Sequence, residues 1–387
     1  KRTCHCKPKL RSGAKGAMAA VEDKIYGPVV DGLPDLSGRC YAVTGCTTGT
    51  GFWAAIAAVR KGAACVLLLN RPSARAVEAE QKVKAEAKGS AKVITVDCDL
   101  QSFASVRSAA ARVRDLAKEF GGLDGLVNNA GVMAVPDTRT PDGYEVQMQS
   151  NHLSHFLLTK LLLPSLEAAA AARGEARVVQ HSSGARAMGG DLEGPYFGKS
   201  EPGSLGGNGM GACFGRYHQT KLANPVFAMA LHERLQAAGS KVKSICAEPG
   251  VSATSLSANM AAGHAEAKKA AAPAPERKSK SSGASPMAGM VFKPQSAADG
   301  ACCLIEASFG ASANSGDFYM PGDLVGSTVL GMPVKCMTAG KPTPASEWIA
   351  KRFRNEALTM KEANRSLLWA ESEKVTEEFK VGNLSKL

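Results

Sequence analysis

The chain has 387 residues, 44% of them hydrophobic, and a formal net charge of +12. That is length enough for a large core, and no run approaches the ~18 uninterrupted apolar residues of a membrane span. The basic excess lacks interleaved aromatic residues, which argues against nucleic-acid binding.

Residues 1–37 read as an irregular basic arm, broken by Gly27-Pro28 and closed by Asp35-Leu36-Ser37-Gly38. Lys1 to Lys15 holds six lysines and arginines and no acidic residue. This composition looks like the remnant of an organelle transit sequence, with a plastid favoured over a mitochondrion. Cys4-His5-Cys6 has no second pair of ligands after it, so no metal site is expected. Several of the eleven cysteines fall in apolar runs, which predicts reduced, buried thiols in a non-secretory compartment.

Residues 38–322 carry the pattern of one domain. Strands are predicted at Arg39–Val43, Ala64–Leu69, Lys92–Val96, Leu123–Val127, Arg177–His181, Lys241–Ala247 and Asp317–Met320. Between them, helices are predicted over 52–61, 73–88, 103–119, 142–171, 216–237 and 295–308. Strand runs that are apolar throughout, rather than alternating, suit a parallel sheet covered on both faces. The fold class is therefore α/β, a Rossmann-like doubly wound parallel sheet. Two insertions interrupt it. Residues 184–216 are rich in glycine and bear Tyr196, Phe197 and Phe214, and residues 255–297 turn to alanine, lysine, serine and proline. Residues 323–387 form a tail with one helix near Lys361–Phe379.

Chemistry enters at the turn after the first strand, Thr44-Gly45-Cys46-Thr47-Thr48-Gly49-Thr50-Gly51. Gly45 is suited to a tight turn. Gly49 and Gly51 let backbone and helix approach a pyrophosphate at the helix N-terminus, so the motif predicts dinucleotide binding. The second strand ends Asn70-Arg71, where an acidic residue would bind the ribose hydroxyl of NAD. Arg71, with Arg75, instead suits the 2′-phosphate of NADP, so NADPH or NADP is expected and NAD less so. Asp99, followed by Leu100, stands where it meets an adenine edge or caps helix 103–119. Farther on, Tyr217 and Lys221 share one helix face. A phenol titrates near pH ~10, and a fixed ammonium one turn away lowers that value toward the working range.

These motifs together resemble the short-chain dehydrogenase/reductase family, over about Arg39 to Thr254. The likeness rests on Thr44–Gly51, Asn128-Asn129-Ala130-Gly131, Asn151, Ser182-Ser183, Tyr217 with Lys221, and Pro249-Gly250-Val251 with Thr254. Asp142-Gly143-Tyr144-Glu145, Asn151 to Thr159 and Leu368 to Lys374 resemble one branch. It holds retinol dehydrogenases, WW-domain oxidoreductases and light-dependent protochlorophyllide reductases. The resemblance implies that Tyr217 is the general acid/base and that Lys221 lowers its pKa and holds the nicotinamide ribose. Ser183 would hydrogen-bond the substrate oxygen, and Asn151 would anchor a water that relays protons from Lys221. Asn128, Ala130 and Gly131 would line the cofactor, with Pro249, Gly250, Val251 and Thr254 at the carboxamide side.

The expected activity is NADP(H)-dependent interconversion of a carbonyl and an alcohol on a hydrophobic small molecule. Two alternatives stand beside it: an accessory or scaffold subunit of an organellar membrane complex, and a protochlorophyllide reductase-like enzyme. Peripheral contact with a membrane or a protein complex would use the basic arm, the 255–297 loop and the tail. A homodimer through the helix after Asp142 and the helix of Tyr217 stays open. Pro225, one turn beyond Lys221, removes a helix hydrogen bond and is expected to kink the helix.

Overall fold

The computed structural model describes residues 23–270, 294–325, 328–339, 341–343 and 358–382. Residues 1–22, which hold the transit-like segment and Cys4-His5-Cys6, lie outside the described residues, as does most of the Ala/Lys/Ser/Pro-rich stretch.

The chain first forms α1 (Tyr26–Asp31), then β1 (Cys40–Thr44), α2 (Gly49–Arg60), β2 (Cys65–Asn70), α3 (Ala74–Ala85), β3 (Lys92–Asp97), α4 (Phe103–Lys118) and β4 (Gly125–Asn128). After it come α5 (Val146–Met148), a π-helical turn over Gln149–Leu153, α6 (Ser154–Arg173), β5 (Ala176–His181), α7 (Met210–Ala237) and β6 (Val242–Ala247). The chain continues with α8 (Leu256–Ala270), α9 (Ala297–Phe309), β7 (Phe318–Val325), β8 (Thr328–Thr338), β9 (Lys341–Pro342) and α10 (Glu362–Thr376).

The strands form one sheet in the order β3-β2-β1-β4-β5-β6-β7-β8-β9. Strands β1 to β7 pair in parallel, and β8 and β9 add antiparallel. Alternate residues of each central strand feed opposite faces. Cys65, Leu67 and Leu69 of β2 join the core under α4, α6 and α7, while Val66 and Leu68 join the core under α2 and α9. The order of strands reverses between β1 and β4, the point at which open α/β sheets bind ligands.

Four features depart from the sequence reading. The arm is folded from about residue 24. The amides of Lys24, Ile25 and Tyr26 donate to the Asp299 carboxylate at 3.0, 2.9 and 2.9 Å, and Tyr26, Val29, Val30, Leu33 and Leu36 are buried. The helix expected over 142–171 is broken by the π turn that presents Asn151. The first part of the second insertion forms α8. The sheet also runs past 322, because β7 continues to Val325 and turns into β8.

α10 closes the side of the sheet behind the π turn. Trp369 stacks on Phe379 with ring centres 5.3 Å apart, and the Arg234 guanidinium lies 3.7 Å over Trp369. His152 Nε2 lies 2.9 Å from Ser372 Oγ, tying the helix to the turn. Pro225 leaves α7 continuous from Met210 to Ala237. Among the described residues no helix is long and apolar enough to cross a membrane, no cluster of metal-ligating side chains occurs, and nine cysteines are free and buried.

Candidate active site

The turn between β1 and α2 is built for close approach. Gly45 has φ +72°, and a Cβ there would stand 2.9 Å from Ala130 Cα. A Cβ on Gly51 would stand 2.3 Å from Asn129 Nδ2 and 2.6 Å from the Gly45 carbonyl. Thr48 opens α2 with no side-chain cap, and the first turn has no acidic residue. The first amides of α2 and the positive end of its dipole therefore face the turn, with half-buried Thr47 beside them. This arrangement fits a dinucleotide pyrophosphate. Across the turn, Thr48 Oγ1 lies 3.2 Å from Ser255 Oγ, and Thr254 packs beside Gly49.

At the end of β2, Asn70 Oδ1 accepts from the Cys46 amide at 2.7 Å, so this side chain shapes the turn. Arg71 and Arg75 are exposed there. Asp99 Oδ1 accepts from the Gln101 amide at 3.0 Å, and Ser102, not Asp99, caps α4. The Leu100 carbonyl accepts from Ser154 Oγ at 2.6 Å.

The third wall is Asn128–Gly131. Asn128 Nδ2 donates to Thr159 Oγ1 at 3.0 Å, while its buried Oδ1 has no partner among the described residues. The amides of Asn129 and Ala130 both donate to Thr44 Oγ1 at 3.0 Å. Asn151 clamps the next residue twice, accepting from the Val132 amide at 2.8 Å and donating to its carbonyl at 2.9 Å. It also donates to Thr220 Oγ1 at 2.9 Å. A Cβ on Gly131 would lie 3.0 Å from Asn151 Oδ1 and 3.5 Å from Lys221 Nζ, so this glycine is the floor on which the two meet.

Tyr217 and Lys221 are both buried on α7, and Lys221 Nζ lies 5.8 Å from the Tyr217 ring centre. Nζ donates to the His181 carbonyl at 3.1 Å. Burial pushes Lys221 down to about 8. Burial pushes the Tyr217 phenol up to about 12, and a hydrogen bond with Ser183 pulls the other way. Desolvation thus dominates, contrary to the lowering that spacing alone suggests, and the phenol stays protonated at neutral pH. A protonated phenol, a hydroxyl and an ammonium converge here, the set needed to polarise a carbonyl and exchange a proton with its oxygen.

Two loops frame this cluster. Arg186, fully buried, donates to the Ser183 carbonyl at 3.0 Å, pairs with Glu248, and lies 4.7 Å over Phe318. The Ser183 loop is thereby joined to Pro249-Gly250. The Pro249 carbonyl accepts from Ser252 Oγ at 3.0 Å, and Val251 is left 39% exposed at the mouth. The 184–216 insertion folds back on α7. His218 contacts the carbonyls of Ala185 and Gly190 at 3.0 and 3.2 Å, and the Asp137 carboxylate accepts from the amides of Gly203 and Gly207 at 3.0 and 3.3 Å. Phe214 stands edge-on to Tyr217 at 6.5 Å.

The structure thus brings together Ser183, Tyr217, Lys221, Asn151 and Gly131, and sets the Thr44–Gly51 turn opposite them. Sequence reasoning gave no role to Asn129, Thr220 or Arg186. Asn129 lies inside the Asn128–Gly131 run, so its signal was present. Arg186 and Glu248 are far apart in the chain, and only the fold pairs them.

A model of the short chain dehydrogenase family matches residues 39–198. Polyprenol dehydrogenase of Mus musculus is 38% identical over 224 residues, 58% of this chain and 63% of that protein. Retinol dehydrogenase 13 of Homo sapiens is 33% identical over 241 residues, 62% of this chain and 67% of that protein. The chain therefore spans less than two thirds of the Mus musculus relative. Among solved structures, an uncharacterized protein of Mycobacterium paratuberculosis aligns with a TM-score of 0.60 and 26% identity, covering 91% of this chain and 98% of its own. A short chain dehydrogenase of Burkholderia cenocepacia, in complex with NADP, shares the fold at a TM-score of 0.50 and 22% identity, over 72% and 94% of the two chains.

Proposed function

The chain belongs to the short-chain dehydrogenase family, and from that premise we propose that it is an NADP(H)-dependent oxidoreductase interconverting a carbonyl and an alcohol on a hydrophobic small molecule. The observation that carries the reading is the buried Tyr217 phenol next to Ser183, with Lys221 Nζ 5.8 Å from its ring on the same helix face and Gly131 beneath the ammonium. An accessory role would not need a buried phenol grouped with a hydroxyl and an ammonium, so the catalytic reading stands above it.

A bound nicotinamide supplies or takes up the hydride. The protein's part is orientation and proton transfer. Ser183 holds the substrate oxygen, and Tyr217, protonated at neutral pH, gives that oxygen its proton in the reducing direction. Lys221, with a pKa of about 8, is charged at neutral pH; it favours the phenolate that remains and is placed to hold the nicotinamide ribose. The side chain of Asn151 is occupied by Val132 and Thr220, which leaves its carbonyl to anchor a relay water.

Arg71 and Arg75 would face the 2′-phosphate of NADP, and both are exposed at the end of β2. Relatives named for retinol and polyprenol support a hydrophobic alcohol or aldehyde as substrate. Met188, which follows the 3-10 turn Gly184–Ala187, and Met210, which opens α7, are 62% and 42% exposed and supply apolar surface on the 184–216 insertion. The test is purified protein with NADPH or NADH and a panel of retinoid, polyprenyl and aliphatic aldehydes. Turnover with NADPH supports the reading, and cofactor binding without turnover of any aldehyde counts against it.

A further inference from the structure

His155 is the second residue of α6, and it is buried. Its Nδ1 lies 3.1 Å from the Asn151 carbonyl oxygen, and its Nε2 lies 2.9 Å from Thr44 Oγ1. One imidazole therefore spans from the turn that presents Asn151 to the first residue of the nucleotide turn.

The surrounding donors and acceptors assign its tautomer. A threonine hydroxyl has one proton and two lone pairs. Both lone pairs of Thr44 Oγ1 are taken by the amides of Asn129 and Ala130, at 3.0 Å each. Its proton has two acceptors in reach, the Val127 carbonyl at 3.4 Å and His155 Nε2 at 2.9 Å, and the shorter contact is to the ring. Nε2 is then the acceptor, so Nδ1 carries the proton and donates to the Asn151 carbonyl, which can only accept. Burial and the Lys221 charge hold the ring neutral, with a pKa lowered to about 4.

We propose that His155 is a positioning residue for the reaction, a neutral Nδ1–H imidazole that locks the Asn151 carbonyl to the Thr44 end of the cofactor turn. The two hydrogen bonds have separate consequences. The Thr44 bond fixes the hydroxyl that gathers the Asn129 and Ala130 amides on the cofactor wall. The Asn151 bond fixes one lone pair of the carbonyl that faces the proton relay, leaving the other for water. The inference rests on the reductase reading given above.

The test separates the two bonds. His155→Asn places an amide donor near Nδ1 and loses the Nε2 acceptor. His155→Gln reaches the Nε2 position and loses the bond to Asn151. The readouts are the dissociation constant for NADPH, by cofactor fluorescence, and kcat with a turned-over aldehyde. His155→Asn is expected to weaken NADPH binding about tenfold with kcat within threefold of the parent. His155→Gln is expected to lower kcat about tenfold with NADPH binding within threefold. A histidine that only fills space would give the two variants the same losses in both readouts, and that result overturns the proposal, as does parental behaviour of both. Tyr217→Phe serves as the control. Unchanged turnover in Tyr217→Phe defeats the reductase reading, whereas lost turnover there with parental His155 variants defeats this inference alone. The NADPH titration needs no turnover, so the Thr44 half is decided even if no aldehyde on the panel is reduced.

Discussion

The Ser182 hydroxyl donates a 2.7 Å hydrogen bond to the backbone carbonyl of Lys221. In an unbroken α-helix that carbonyl accepts from the amide four residues on, and here residue 225 is proline, which has none. Ser182 therefore supplies the donor that Pro225 removes. The residue beside the proposed substrate-holding Ser183 thus holds the backbone of Lys221. The kink expected from Pro225 is answered locally, and α7 keeps Lys221 under Tyr217.

Ser182→Ala should leave the Lys221 carbonyl buried and unpaired, at a cost of about 1–3 kcal/mol. Both unfolding midpoint and kcat should fall. Pro225→Val restores an amide in the right place, so the double variant should recover much of the loss. The check is a double-mutant cycle in denaturant. Additive effects would show that the hydroxyl and the proline do not share this carbonyl.

Arg71→Ala should weaken NADPH binding while leaving NADH nearly unchanged. A charged hydrogen bond contributes about 1.5–3 kcal/mol, or roughly tenfold to a hundredfold in affinity. Parallel fluorescence titrations with the two cofactors measure the ratio. Equal loss for both would place Arg71 away from the 2′-phosphate.

Acid should unfold the protein through its buried histidines. Burial lowers His155 to about 4 and His152 and His181 to about 3, against an ordinary 6.5. The folded values lie below the unfolded one, so the unfolded chain binds protons first. The stability is complete above about pH 6.5 and is lost as pH falls toward 4 and 3. Each group costs about 2 kcal/mol at pH 5. Denaturant midpoints between pH 7 and 5 should drop steeply. A flat profile would show that these rings take up protons in the folded protein as readily as in the unfolded chain.

Much of the architecture was legible because central strands such as Cys65–Asn70 are apolar on both faces and stand between amphipathic helices. The site was legible where chemistry is local, as at Thr44–Gly51 and Tyr217–Lys221. The rest depends on partners far away in the chain. The start of the arm folds because Asp299 accepts its amides, and nothing near Lys24 announces that. Strands β8 and β9 lie in a segment with proline and glycine, and their pairing with β7 is what makes them strands. Ser182 gains its meaning from Pro225, and His155 from Thr44, so neither could be read from its own neighbours. The pKa of Tyr217 also depends on burial, which spacing on a helix face does not report.

Tyr217 is proposed to pass the proton at a nicotinamide site. The direct measurement is single-turnover reduction of an aldehyde by protein saturated with NADPH, comparing the parent with Tyr217→Phe. Phenylalanine keeps the ring and removes only the hydroxyl. In Tyr217→Phe, NADPH binding is expected within threefold of the parent and cofactor oxidation slower by at least about a hundredfold, the scale of general acid catalysis. Equal rates for the two proteins would contradict that role.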